Sequence, residues 1–435
     1  MLLQLVIMFV IMVVIMLLEV PIFYAFGLGT LFLIFLNNID PVWAFSGAFN
    51  VLQSFVFLCL PLYILLGIIV DGAGVARKLC DWFVSIMGRF KGGLGVAVVL
   101  TNALFGAISG ASLSALAGIG SALLPSMEKE GYPKSYSIAL LIPSATLSLL
   151  IPPSSGMIIF GFMGKLPITY CFLAPFLPGL IMVVLLSAVH LVMCRKIDTI
   201  KVKQVASNRE QVRDILVRTK KAGWGLVIPI ICLGGIYAGI YTPTEAAATA
   251  TVYTILIGFI CYRTLTAAKL KGYLLSAASV TSSIVVLIFI FSALSKVLIV
   301  TQVSEEMLRV MMAISSDRTV QLIMLNVLML LMGMIMDDSS AIVVSAIVLL
   351  PVARKLGIDP YHFAAMTGVN LTIGIITPPV AALLYLGGHI SNLPVNQYIK
   401  PVMIYILFAM MPTLLLTMFV PSLSTFLPHW FMSLG

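Results

Sequence analysis

The chain reads as an all-α polytopic membrane protein built from two inverted-topology repeats. Each repeat carries a re-entrant helical hairpin and a broken transmembrane helix. Three observations predict this. The 435 residues are 61% hydrophobic and 9% charged, whereas a soluble domain carries about 25% charge. Landmarks recur at one constant offset. On adding 226, Pro152-Pro153 becomes Pro378-Pro379, Leu123-Leu124-Pro125 becomes Leu349-Leu350-Pro351, Gly131 becomes Gly357, Gly161 becomes Gly387, and Glu19 becomes Glu245. Both double prolines fall inside apolar runs. Proline removes a backbone donor and clashes with the preceding turn, so each helix should break at membrane depth. Broken backbone survives there only where protein covers it or a cavity lines it. Paired interruptions in matching halves point to a secondary transporter's binding region.

The first repeat covers 1–194. Residues 1–18 and 51–70 are apolar spans, and 22–36 is a short one closed by Asn37-Asn38. Full spans need roughly 17–25 residues, so the short one is thin or broken. In 74–91, Leu79, Trp82, Phe83, Ile86 and Met87 recur at helical spacing beside Arg77, Lys78, Asp81 and Arg89. That is the pattern of an amphipathic arm lying at the interface. Residues 92–125 are apolar with a small, polar centre: Gly106, Ser109, Gly110, Ala111, Ser112 and Ser114. A hairpin with its tip near mid-membrane needs such a centre, because tip backbone must find partners. A tightly packed helix crossing is the alternative. The broken helix is 136–164, and 168–194 is a return span.

Residues 195–223 form a basic linker; 195–221 alone hold nine Lys/Arg against three Asp/Glu. Positive charge places that linker in the cytoplasm. The second repeat, 224–435, has spans 224–241, 243–262 and 273–300, an arm 303–318, a hairpin 319–352, a broken helix 361–389 and a last span of about 400–425. Counting gives ten spans plus two hairpins, with both termini outside. The arms test the topology. Segment 74–91 carries net +3 and 303–318 net −1, the sign that inverted repeats require. The net charge of +9 is thus a topology signal rather than a nucleic-acid footprint. The first basic residue is Arg77, so no charged n-region of a cleavable signal is expected.

No catalytic constellation stands out. The four histidines are isolated from any nucleophile motif, the six cysteines are scattered, and no nucleotide loop is present. The expected chemistry is therefore transport rather than catalysis. Sodium suits unwound segments, whose carbonyls and hydroxyls are hard oxygen ligands. Ser109 and Ser112 at the first tip and Thr377 at the second break are candidates, with Gly333 and Gly374 allowing close backbone approach. Asp337 and Asp338 would supply charge to a second ion site or cap the second arm of the hairpin. Lys296 would meet an anionic substrate or snorkel to a nearby span end.

The motifs GAISGASLSALAGIGSALLPSMEKEGY (106–132), IPPSSGMIIFG (151–161), GIYTPTEAAA (239–248), GMIMDDSSAIVVSAIVLLP (333–351) and GIDPYHFAAMTGVNLTIGIITPPVAALLYLG (357–387) resemble, in order and spacing, the large membrane subunit of tripartite ATP-independent periplasmic (TRAP) transporters. The resemblance covers essentially the whole chain. It implies an elevator-type, sodium-driven importer in a bacterial inner membrane. A periplasmic binding protein would deliver an organic acid such as a C4-dicarboxylate, sialic acid or other sugar acid. A small membrane subunit, here a separate chain, would complete the scaffold. By motif, the sodium ligands carry over to Ser109, Ser112, Gly333, Gly374 and Thr377, with a carbonyl from Val380. The repeat then suggests a second site near Ala107, Ser148, Ser154 and Asp338. Ala111 and Ala115 stand where many relatives have Ser and Asp or Thr, which makes this tip less polar than usual. The alternatives are a stand-alone sodium/divalent-anion symporter of similar architecture, an ion channel conducting without partners, and a membrane enzyme.

Overall fold

The computed structural model describes residues 2–18, 20–88, 90–200 and 208–434. Glu19, Arg89 and residues 201–207 of the basic linker lie outside them. Among the described residues the only regular structure is helical.

The chain opens with α1 (Leu2–Leu17) and α2 (Ile22–Leu36). Asn37 ends α2, its side-chain amide donating to Leu33 O, and Asn38 turns the chain at φ 51°. Asn tolerates that left-handed conformation better than other side chains. A helix absent from the sequence reading follows, α3 (Pro41–Leu52). Asp40 caps it by accepting from Val42 N, and Pro41 sits in its first turn, where a missing N–H costs nothing. Next come α4 (Cys59–Gly72) and the amphipathic arm α5 (Val75–Met87).

The first hairpin is α6 (Gly93–Ser109) and α7 (Ser112–Lys129). The first broken helix is α8 (Lys134–Ala145) and α9 (Ser155–Gly164). The return span is α10 (Ile168–Leu173) plus α11 (Phe176–Cys194). Residues 208–223, read as linker, are instead helical. They open α12 (Asn208–Pro229), which runs through a π turn into α13 (Gly235–Tyr237). The reason is a tie to the arm. Trp82 donates to Thr219 Oγ1 at 2.9 Å, and Arg218 pairs with Asp214 at 2.8 Å and Asp81 at 3.7 Å.

In the second half, α14 (Pro243–Ile260) starts with a capping box. Glu245 N donates to Thr242 Oγ1, and Thr242 N donates to the Glu245 carboxylate. That satisfies two backbone donors at once. Then come α15 (Ala267–Val300) and the arm α16 (Val303–Ile314). The second hairpin is α17 (Arg318–Ile335), α18 (Asp338–Val344) and α19 (Leu350–Lys355). The second broken helix is α20 (Pro360–Gly374) and α21 (Ala382–Ser391). The last span, α22 (Ile399–Tyr405) and α23 (Met411–Phe419), stops at Val420-Pro421, short of the expected 425. A further helix, α24 (Ser422–Leu434), follows it.

Among the described residues, six helical stretches are long and apolar enough to cross a membrane: Phe55–Gly72, Ile168–Cys194, Pro243–Ile260, Ala267–Val300, Arg318–Ile335 and Ile399–Phe419. Shorter apolar helices are Ile7–Met16, Ile22–Leu36, Gly93–Ser109 and Ser155–Gly164. The broken helices pack crosswise. A Cβ on Gly156 of α9 would lie 2.5 Å from Ile342 of α18, and Arg354 of α19 donates to Gly164 O at 3.1 Å. Reciprocally, a Cβ on Gly120 of α7 would lie 3.7 Å from Ile390 of α21.

Candidate functional site

The first tip is built on Gly110. Its φ of +62° suits glycine, and it closes α6 by donating to Gly106 O at 2.8 Å. Its own carbonyl accepts from Ser155 N at 3.1 Å and Ser155 Oγ at 2.7 Å, so the tip is pinned to the start of α9. A Cβ here would lie 2.8 Å from Pro153 O and 3.5 Å from Ser154 Cα. One turn earlier on α6, Gly106 presses on Ser148, and Gly67 of α4 presses on Ser109. Ser109, Ser112, Ser148 and Ser154 are all buried. Ser148 Oγ donates to Ala145 O at 2.8 Å. Among the described residues, the hydroxyls of Ser109 and Ser154 have no hydrogen-bond partner. A buried hydroxyl left so costs about 1–3 kcal/mol.

The second tip uses a carboxylate where the first uses a glycine. Asp337 is the N-cap of α18, accepting from Ser339 N at 3.2 Å and Ser340 N at 3.4 Å. The geometry is that of the capping reading. Gly333 and Gly374 meet backbone to backbone, and a Cβ on Gly374 would lie 2.6 Å from Gly333 Cα. Val380 N donates to Met334 O at 3.2 Å, pinning this tip to its break. Thr377 Oγ1 donates to Ile373 O at 2.7 Å. Its proton is thereby spent, and its lone pairs stay free for a cation. Pro152-Pro153 and Pro378-Pro379, the two break dipeptides, are both cis.

One hydrogen bond joins the two clusters. Ser112 Oγ donates to Asp338 Oδ2 at 3.4 Å, between residues 226 apart in sequence. That separation equals the repeat offset, so each residue touches its own counterpart. The structure thus gathers Ala107, Ser109, Ser148 and Ser154 at one tip and Gly333, Gly374, Thr377 and Val380 at the other. Ser112 and Asp338 stand between them. Lys296 is not gathered in. Its ammonium donates to Trp43 O at 3.3 Å and lies 4.7 Å from the Trp43 ring, over Gly47 of α3.

Two amide ties escaped the sequence reading. Asn102 of α6 donates to Ser144 Oγ at 3.0 Å, and Asn370 of α20 donates to Asn326 Oδ1 of α17 at 2.6 Å. Each links a hairpin arm to its own broken helix. The available signal was an amide inside an apolar run, which must find a partner in the membrane. His190 is likewise no orphan. Its Nε2 donates to Gly92 O at 3.0 Å, leaving Nδ1 to accept from Tyr136 OH at 2.8 Å, and Tyr405 OH donates to Tyr136 OH at 3.1 Å. That chain ties the base of the first hairpin to α8, α11 and α22.

Residues 9–423 match the family described as "Tripartite ATP-independent periplasmic transporter, DctM component". Among curated proteins, the chain is 31% identical over 383 residues to the C4-dicarboxylate TRAP transporter large permease protein DctM of Pseudomonas aeruginosa, covering 88% of each. It is 31% identical over 439 residues to the protein of the same name in Rhodobacter capsulatus, covering 97% of this chain and 98% of that one. It is 31% identical over 413 residues to the isethionate TRAP transporter permease protein DctMQ of Oleidesulfovibrio alaskensis, covering 94% of this chain but only 64% of the longer relative. Among solved structures, the YdaH transporter of Alcanivorax borkumensis superposes with a TM-score of 0.55 at 15% identity, covering 90% of this chain and 88% of that one. That likeness concerns the fold alone. A multi-pass helical protein of the bacterial inner membrane, with transporter permeases rather than enzymes as its relatives, this chain belongs to the TRAP DctM family as a large permease subunit.

Proposed function

We propose that this chain imports a small organic acid, using the sodium gradient, from a periplasmic binding protein and in complex with a separate small membrane subunit. Relatives named for C4-dicarboxylates, isethionate and sialic acid support the substrate class. The observation that carries the sodium reading is the pair of buried, unpartnered hydroxyls, Ser109 and Ser154, on a tip and the break it docks against. A cation between the first tip and its break would use those oxygens with backbone carbonyls at the helix ends, and one at the second would use the free lone pairs of Thr377. Ala107, Ser109, Ser148 and Ser154 make one site at the first tip, and Gly333, Gly374, Thr377 and Val380 make the other at the second, with Ser112 and Asp338 between them. Asp338 adds charge there, while Asp337 holds the second tip as a cap.

The inverted topology has its own support. The run α8–α9 starts just after the base of the first hairpin and ends at Gly164, which Arg354 at the base of the second hairpin holds. The two bases therefore sit at opposite ends of one broken span. In an elevator cycle, hairpins and broken helices move as one body against α4, α14 and α15.

Uptake measured with the binding protein and small subunit present tests the ion site, using succinate, isethionate and sialic acid as substrates. Ser109→Ala and Thr377→Ala should each raise the sodium concentration for half-maximal uptake about tenfold, the effect of roughly 1.4 kcal/mol. Thr377→Ser should stay near wild type, and membrane levels should not change. Unchanged sodium dependence in both alanine variants would remove this assignment, and uptake without the binding protein would favour a stand-alone symporter.

A further inference from the structure

A second polar cavity lies apart from the tips. It is a groove of about 400 Å³ between the arm α16, the return arm α19 and the end of α9. Its charged lining is Lys165, Arg354, Lys355 and Glu305, with Gln302 and Ser304 beside them. None of these is a tip or break residue. The groove holds three cations and one acid, and the acid is already engaged. Glu305 pairs with Lys355 at 2.7 Å. Arg354 spends one amino group on Gly164 O, and among the described residues the rest of its guanidinium makes no other side-chain bond. Lys165 is exposed and is in no ion pair among the described residues.

The local balance is thus positive by two charges in a concave site with apolar walls at Leu298, Ile347 and Leu350. Such walls focus the field and raise the local concentration of anions. A guanidinium and an ammonium converging on one cavity suit a carboxylate or sulfonate, the guanidinium through paired N–H donors. The volume lies in the range of small-molecule sites.

We propose that this groove is a landing site for a small soluble carboxylate or sulfonate, separate from the tips and reached before them. The inference rests on the reading above for the acid class and for the groove's outward placement, the arm 303–318 carrying net −1 on the side opposite the basic linker. Glu305 acts as its internal competitor, holding Lys355 until an anion arrives.

Saturation-transfer NMR on the purified full chain in detergent, in sodium-free choline buffer, tests it with succinate, isethionate and sialic acid as probes. Working without sodium separates this outcome from the ion-site assignment, which is read by uptake. At least one probe should bind. Lys165→Gln should raise its half-saturation about fivefold, as expected for loss of one partly exposed charge. Glu305→Gln should lower it about as much by freeing Lys355. The opposite signs exclude a general folding defect. The proposal is overturned if no probe binds, or if both variants match wild type. It is also overturned if, in bilayer discs, phosphatidylglycerol but not phosphatidylcholine abolishes the signal. A lipid headgroup would then own the groove.

Discussion

The two breaks share a dipeptide and an offset but not an environment. At the first, Pro152, Pro153 and Ser154 are all buried, and Gly110 O takes two hydrogen bonds from Ser155. At the second, Pro378 and Pro379 are exposed, Val380 is 42% exposed, and a single backbone bond from Val380 to Met334 joins tip to break. The difference teaches that the same dipeptide fixes the same local backbone break, while the packing around it covers one copy and leaves the other open.

Labelling should give the largest contrast. Cys261 is the exposed cysteine and the other five are buried, so a Cys261→Ser background is clean. There, Val380→Cys should react readily with a water-soluble maleimide and Ser154→Cys should not. Equal reactivity would erase the comparison. Substitution at the tips should come next. Gly110→Ala puts a Cβ at positive φ and 2.8 Å from Pro153 O, and should cost about 2–5 kcal/mol of stability from backbone strain plus overpacking. Asp337→Ala at the second tip removes only a cap and should cost about 1 kcal/mol. Thermal unfolding in detergent ranks the two, and the reverse order would show that the tips are not built as described.

The amide ties sharpen the same comparison. Asn370→Leu strands Asn326 in an apolar interface and should destabilise by about 1–3 kcal/mol, while the double change with Asn326→Leu should recover part of the loss. Full additivity would mean that the pair is not coupled. The smallest effect concerns pH. Lys355 holds Glu305 below the usual carboxylate range, and the backbone of Thr319 and Val320 does the same for Asp317. A depressed folded-state pKa contributes stability above the unfolded value and loses it as pH falls through the folded value. Acidification below about pH 4.5 should therefore loosen the base of the second hairpin slightly. Glu305→Gln should flatten that response without changing the midpoint at neutral pH by more than a degree or so.

What could be read from the residues was whatever leaves a local mark. Gly110 and Asp337 each announce a turn, and the double prolines announce breaks, and a helix ends close to each of them. The misses share a cause. The helix α3 is short, and its Asp40-Pro41 start reads as a loop unless its packing on α15 is known. The linker became helix because Thr219 and Arg218 meet α5, a contact between residues 137 apart. The Ser112–Asp338 bond, the Lys296–Trp43 contact and the Asn326–Asn370 pair likewise depend on tertiary placement. At the tips, the small and hydroxyl residues could be read in the chain, but which of them pack together could not.

Sidedness of the hairpin bases tests the central claim most directly. Phe90 and Ser316 are exposed, occupy equivalent positions at the entrances of the two hairpins, and can each be replaced by cysteine in the Cys261→Ser background. In sealed vesicles of known orientation, an impermeant maleimide should reach Phe90→Cys only from the cytoplasmic face and Ser316→Cys only from the outer face. Labelling of both from one face would mean the halves point the same way, and would contradict the account.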